Sequence, residues 1–413
     1  MPADTVDSHD KALWPAGGAR TAEEYVREGH SLFDGSISWP VMVLRREALE
    51  TNLAALAAFC RRHGLDFAPH GKTSMAPALF ERQLAAGAWG ITVATAQQAL
   101  VARAAGVRRV LLAHELLDAT ALAWAADELT RDPGFWFACL VDSAPGVEAA
   151  ARAGRDAGLA GGLPVLVDVG YPAGRTGVRD AAQARALAEL VARTDGVALA
   201  GVSAYEGGLT DADAVRAYLG GVRAVAGELR RDGLLAEGAI VTAGGSSWFD
   251  LVAEAFDAHW AASAGLRPVL RSGAYLSHDD GIYRERTPFL RIPEEGHLDA
   301  ALELWAQVVS APEPGLALAG FGRRDAPVDS GMPVPLRLRA AAAAQERDIR
   351  GLVEVVKLDD QHAYLRLEPG VELHPGDLVR FGISHPCTAF DKWRAIPVVD
   401  VDDRVVDVVR TYF

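Results

Sequence analysis

The chain has 413 residues, half of them hydrophobic and 23% charged, enough for one large folded domain and a smaller one. Its 41 basic and 55 acidic residues leave a net charge of −14, which argues against nucleic acid or an anionic membrane as the main partner. No apolar run reaches the roughly 18 residues that span a bilayer, the start Met1-Pro2-Ala3-Asp4-Thr5 has no secretory pattern, and three cysteines (Cys60, Cys139, Cys387) fit a reducing cytosol, so a cytoplasmic protein is expected.

Residues 1–37 show little periodicity and read as an N-terminal extension that packs on a later domain. Val41–Leu44 reads as a strand, and Arg46 to about His63 as a helix. A rhythm then sets in. Short apolar runs, each followed by a helical pattern, occur at Leu65–His70, Gly90–Ala94, Val110–His114, Trp136–Asp142, Pro164–Val169, Gly201–Tyr205, Ile240–Ala243 and Val269–Ala274. The runs are apolar throughout, as parallel strands buried on both faces require. The Ala/Leu-rich segments between them, such as Pro77–Ala86, Gln97–Ala105, Ala181–Ala192 and Ala212–Leu229, favour helix. Eight such repeats predict an α/β fold, a TIM-type (β/α)8 barrel over 38–300. A doubly wound open sheet is the alternative, but no GxGxxG turn follows the first strand. Beyond residue 300 the pattern changes to strands broken by Gly, Pro and Asp turns, at Leu302–Ser310, Leu316–Gly320, Leu352–Leu358, Ala363–Leu367, Asp377–Phe381 and Val398–Val409. Residues 301–413 therefore read as a mostly β domain, with Ala340–Ala344 as a short linker or exposed loop.

In a barrel, chemistry gathers at the C-terminal strand ends. Lys72 lies just past the first of them, with His70 two residues earlier on the same face. A partly desolvated amine there is a candidate nucleophile toward an aldehyde cofactor; the plainer reading is a surface lysine. Gly71-Lys72-Thr73 is not the end of a phosphate-binding P-loop, because the glycine that motif needs is Asp66 here. Gly244-Gly245-Ser246-Ser247 after the seventh strand and Ser272-Gly273-Ala274-Tyr275 after the eighth form two small-residue turns side by side, suited to a phosphate cup. The glycine-bounded loop after Asp168 presents Arg175, which would keep a pyridine nitrogen unprotonated because a guanidinium only donates. A salt bridge to Asp168 or Asp180 explains Arg175 equally well. Tyr205, ending the sixth strand, would stack on or bond the same ring. Near the C-terminus, His385-Pro386-Cys387 aims an imidazole and a thiol the same way. That pair favours zinc and leaves coordination positions open, as a catalytic metal requires; a buried His and Cys is the alternative.

Taken together and in order, these pieces resemble the D-serine dehydratase / D-threonine aldolase family of fold-type III pyridoxal-phosphate enzymes, and within it the cryptic D-serine deaminase, or amino acid deaminase, branch. The matching segments are Pro69–Thr73, Gly174–Gly177, Thr242–Ser246, Arg271–Tyr275, Gly322–Asp325, His385–Thr388 and Asp391–Arg394. The resemblance implies an alanine-racemase-like barrel followed by a β domain. It implies that Lys72 carries pyridoxal 5′-phosphate, that Gly244, Gly245, Ser246, Gly273 and Tyr275 hold the phosphate, and that His70, Arg175 and Tyr205 surround the ring. His385 and Cys387 would bind Zn2+ or another divalent metal. It further implies a homodimer acting on a small D-amino acid with a β-hydroxyl group, such as D-serine, D-threonine or a 3-hydroxyaspartate. The reaction expected is dehydration to a 2-keto acid and ammonia. A metal-dependent D-threonine aldolase is the alternative, and an amino acid racemase or a non-catalytic cofactor carrier are the remaining readings. One departure stands out. Many relatives follow the sixth-strand tyrosine with a Gly-His pair, whereas this chain has Tyr205-Glu206-Gly207-Gly208.

Overall fold

The computed structural model describes residues 5–13, 18–341 and 345–413. Among the described residues, eight parallel strands fall on the eight predicted runs: Asp66–Phe67, Ile91–Val93, Arg109–Glu115, Trp136–Val141, Leu163–Val169, Val197–Ala204, Ala239–Ala243 and Leu266–Leu270. The first strand pairs with the eighth, and the order runs back from there to the second. The ring closes where Trp89 N–H donates to Phe67 O at 2.6 Å and Thr92 N–H to Pro69 O at 2.9 Å. Pro69 has no N–H to donate, so the first strand is short. Side chains including Ala68, Leu111, Leu166, Ile240 and Val269 fill the barrel interior, leaving the strands' C-terminal ends to form the site.

The helices begin where the loops supply caps. The side chains of Thr95, Asp118, Ser143, Asp180 and Asp211 each accept a backbone N–H three residues on, which satisfies a donor that the first turn leaves open. Helix Arg46–His63 ends at Gly64, in the left-handed conformation with φ of 64°.

The C-terminal part is a sheet of antiparallel pairs built on the long strand Leu302–Glu313. Two of its strands, Val334–Arg339 and Glu346–Asp348, escaped the sequence reading. The expected strand Val398–Val409 is two, Ala395–Val399 and Val405–Arg410, because the Asp400 side chain accepts from Asp402 and Arg404 N–H and turns the chain. The strand at Val41–Arg45 needs a correction of place. It lies in the segment assigned to the barrel, yet it pairs with Leu302–Trp305 and with Val398–Val399 of the β part. Residues of the N-terminal segment also meet that part: Lys11 Nζ bonds Asp325 Oδ1 at 2.9 Å, and Arg410 bonds Asp10 Oδ2 at 2.8 Å. Of the alanine-rich stretch, Ala340 and Ala341 are described and the other three residues lie outside the described set.

Candidate active site

Lys72 sits in a short 3-10 turn, Gly71–Thr73, between the first strand and helix Pro77–Ala85. Gly71 is required there, since a Cβ would lie 2.8 Å from both Ile91 Cγ2 and Phe80 Cε1. The turn aims Lys72 into a cavity at the barrel mouth that is also lined by His70, Arg175, Tyr205, Gly244, Gly245, Ser246, Gly273 and Cys387. The geometry thus gathers most of the residues singled out from the sequence around one space. Burial lowers the pKa of the Lys72 amine, and the charges of Arg175 and Arg271 add to that effect, while Cys387 opposes it. His70 is held neutral by burial and by the cations Lys72, Arg271 and Arg175, and its Nδ1 is buried without a partner.

The Arg175 guanidinium lies over the Tyr205 ring, 4.1 Å from its centroid. The carboxylates weighed as its ion-pair partners are engaged elsewhere. Asp168 accepts from Thr176 Oγ1 at 2.9 Å, and Asp180 caps its helix by accepting from Gln183 N–H at 2.8 Å. Asp142 Oδ2 accepts from Gly177 N–H at 2.8 Å, so the residues just after Arg175 are pinned from two strands. The Gly207-Gly208 pair has a steric reason. A Cβ at 207 would stand 2.5 Å from Tyr205 Oη, and one at 208 would stand 2.4 Å from Tyr171 Oη.

The Tyr275 side chain does not line the cavity. It is buried between the barrel and helix Pro77–Ala85, with Gln83 Nε2 donating to its hydroxyl at 3.1 Å and Phe67 against its ring. The tyrosine that lines the cavity beside Tyr205 is Tyr283, close enough to Cys387 and Ser246 to feel both. Asp279 presents it by accepting from Gly281 and Tyr283 N–H at 2.8 and 2.9 Å. The Asp279-Asp280-Gly281 turn was the available sequence signal for it. Arg271 was also passed over. It is buried, donates to Ser203 Oγ at 2.9 Å and to Ala204 O at 2.5 Å, and supplies positive charge beneath the cavity.

Cys387 enters from the β domain, with Sγ 3.4 Å from Thr73 Oγ1. His385 stands behind it rather than on the cavity wall, and its Nδ1 is 2.5 Å from Asp329 Oδ2. Thr388 Oγ1 donates to the other Asp329 oxygen at 2.7 Å. The His385 pKa is pushed up to about 9, first by Cys387 and then by Asp329. Among the described residues no group of three or more His, Cys, Asp or Glu side chains is placed to hold a metal. The donors present nevertheless fit one in an open site: an imidazole with a carboxylate behind one nitrogen, beside a thiol. The cavity fits pyridoxal phosphate as well. It combines a half-buried lysine, the unpartnered His70 Nδ1, and the backbone N–H groups of Ser246, Gly273 and Ala274, which have no partner among the described residues.

Comparison with known proteins agrees with this construction. The "Alanine racemase, N-terminal domain" family model matches residues 44–261, and the "Putative serine dehydratase domain" model matches residues 301–399. D-threonine aldolase of Arthrobacter sp. is 27% identical over 373 residues, covering 88% of this chain and 89% of that one. D-threo-3-hydroxyaspartate dehydratase of Delftia sp. (strain HT23) is 30% identical over 148 residues, 35% of this chain and 36% of that one. The crystal structure of D-threonine aldolase from Filomicrobium marinum superposes with a TM-score of 0.77 at 25% identity, covering 91% of this chain and 95% of that one. The chain belongs to the alanine racemase N-terminal domain family and carries a serine-dehydratase-type domain after it, which places it among the fold-type III pyridoxal-phosphate enzymes. Within that class it is a lyase. Among the described residues no helix is long and apolar enough to cross a membrane.

Proposed function

We propose that this protein is a pyridoxal-phosphate- and zinc-dependent dehydratase of β-hydroxy D-amino acids, converting D-serine or D-threonine to a 2-keto acid and ammonia. The observation that carries the reading is the meeting of Lys72 from the barrel with Cys387 from the β domain, backed by His385, at one cavity. The cofactor, when bound, supplies an electron sink for charge at the substrate's Cα. His385 and Cys387 would hold a divalent metal, which would supply Lewis-acid stabilisation of charge on the leaving β-hydroxyl.

The chain's own residues do the rest. The amine of Lys72, its pKa lowered by burial, is suited to hold the cofactor and to take the α-proton. Arg175, stacked on Tyr205, has hydrogen-bond donors only, so it would hold a pyridine nitrogen facing it unprotonated. His70, held neutral, adds no charge beside the ring. Loss of the α-proton and of the β-hydroxyl as water gives an enamine, and its hydrolysis yields the keto acid and ammonia.

Retro-aldol cleavage to glycine and an aldehyde is the second reading, favoured by the similarity to D-threonine aldolase over most of the chain. Dehydration is preferred because a thiol ligand suits zinc, where a carboxylate would suit harder ions. The deciding experiment incubates cofactor-loaded protein with D-threonine, with and without a chelator. 2-Oxobutyrate and ammonia, lost on chelation, are expected. Glycine and acetaldehyde would replace the dehydratase reading with the aldolase.

A further inference from the structure

Glu206 is a carboxylate that the mechanism leaves without a role. It is fully buried, one residue past Tyr205 at the mouth of the sixth strand. Its Oε2 accepts from Gly244 N–H at 3.1 Å and its Oε1 from Gly245 N–H at 2.5 Å. Buried Arg271 is the cation that balances it, acting at longer range on both Glu206 and Asp168. The sequence reading gave those two glycine N–H groups to a phosphate. In the folded chain they already serve a buried anion.

The neighbouring donors are different. Ser246, Gly273 and Ala274 line the same cavity, and their backbone N–H groups have no partner among the described residues. Ser272 Oγ donates to Gly245 O at 2.9 Å, so the turn that Glu206 holds is tied to the turn that carries Gly273 and Ala274. Expelling a carboxylate with two charge-assisted bonds from a buried site is costly. A phosphate brought against it would be repelled at short range.

Resting on the pyridoxal-phosphate reading above, we propose that Glu206 is a positioning residue: it clamps the Gly244–Gly245 turn and so directs the cofactor's phosphate to the free N–H groups of Ser246, Gly273 and Ala274. Its action is on the phosphate end alone. Pyridoxal and pyridoxal phosphate share ring and aldehyde and differ only there.

The test titrates apo protein with each of the two, following the cofactor absorbance, for the wild type, Glu206→Ala and Glu206→Gln. The wild type is expected to prefer the phosphorylated form. E206A should lose roughly tenfold or more of that preference, and E206Q less, since one acceptor oxygen remains. A melting curve for each variant separates this from unfolding, which would weaken both ligands alike. Should E206A fail to fold, E206Q carries the same ratio. A preference unchanged or increased overturns the proposal, an increase being what a competing carboxylate would produce. A wild type that binds neither compound overturns the cofactor reading itself, and the proposal with it.

Discussion

Asp329 shows how one residue distant in sequence completes a motif. His385 and Cys387 were legible because their donors sit two positions apart, and spacing can be read from a string of letters. Asp329 lies 56 residues before His385, and only folding brings its Oδ2 to 2.5 Å from Nδ1. A carboxylate there fixes the ring's orientation and raises its basicity as a ligand. Asp329→Ala should therefore weaken metal binding by about 10–100-fold, with cofactor absorbance retained. Metal content after dialysis against a weak chelator would measure it, and a variant that keeps its metal as the wild type does would remove Asp329 from the site. Tyr283 and Glu206 were hidden for related reasons. The first follows an irregular turn that gives no periodicity, and the second was read only as the letter beside Tyr205. Lys72, Arg175 and the glycine turns were legible because each sits at a strand end that the apolar rhythm had already located. The Tyr275 side chain points away from the cavity, because strand-end adjacency does not say which face a side chain takes once the strand has stopped.

At the scale of an element, the loop from Gly170 to Gly177 is the part the site leans on most. Its shape is forced. A Cβ at Gly170 would stand 2.1 Å from Thr176 O, and Gly177 has a φ of +91° with Gly170 N 2.4 Å from where its Cβ would be. Arg179 ties the loop from outside, donating to Thr176 O and Gly174 O at 2.9 Å each. Asp142 holds it from inside through Gly177 N–H. Asp142→Ala removes a charge-assisted bond of about 1.5–3 kcal/mol from the one segment that presents Arg175. Faster tryptic cleavage after Arg175 is expected in that variant, with the rest of the digest unchanged; equal cleavage rates would mean that Arg179 and the glycines hold the loop alone. The glycines announced a tight loop in the sequence, but its anchors on the fourth and fifth barrel strands are tertiary and were not announced. The missed strand Val334–Arg339 has a similar explanation. Pro335 speaks against a strand by local rules, and the pairing tolerates it through a register shift between Pro335 and Arg337.

Across the whole molecule, the barrel and the β domain are interlocked rather than joined in series, and the site depends on that. Strand Val41–Arg45 lies before the barrel in sequence but inside the β sheet in space. Tyr412 N–H donates to Met75 O at 2.9 Å, and Thr73 meets Cys387, so the C-terminus returns to the turn that carries Lys72. Glu303 is the electrostatic centre of the β sheet that the strand Val41–Arg45 joins. It is buried, with Arg45 Nε at 2.8 Å on one side and Arg380 at 3.0 Å on the other. Removing it by Glu303→Ala leaves the largely buried Arg380 without its carboxylate and Arg45 with Asp403 alone, at a cost of roughly 3 kcal/mol. Arg82→Ala breaks a more exposed pair with Asp407, between barrel helix Pro77–Ala85 and the β domain, and should cost no more than about 1 kcal/mol. Urea unfolding of both variants, followed by tryptophan fluorescence and by release of the bound cofactor, measures the difference. Because Trp305 is buried on the Glu303 strand and Lys72 is in the barrel, interlocked parts should lose both signals in one transition, shifted far more by E303A than by R82A. Two separated transitions, or similar shifts in the two variants, would show that the barrel keeps its site without the β domain's ion network.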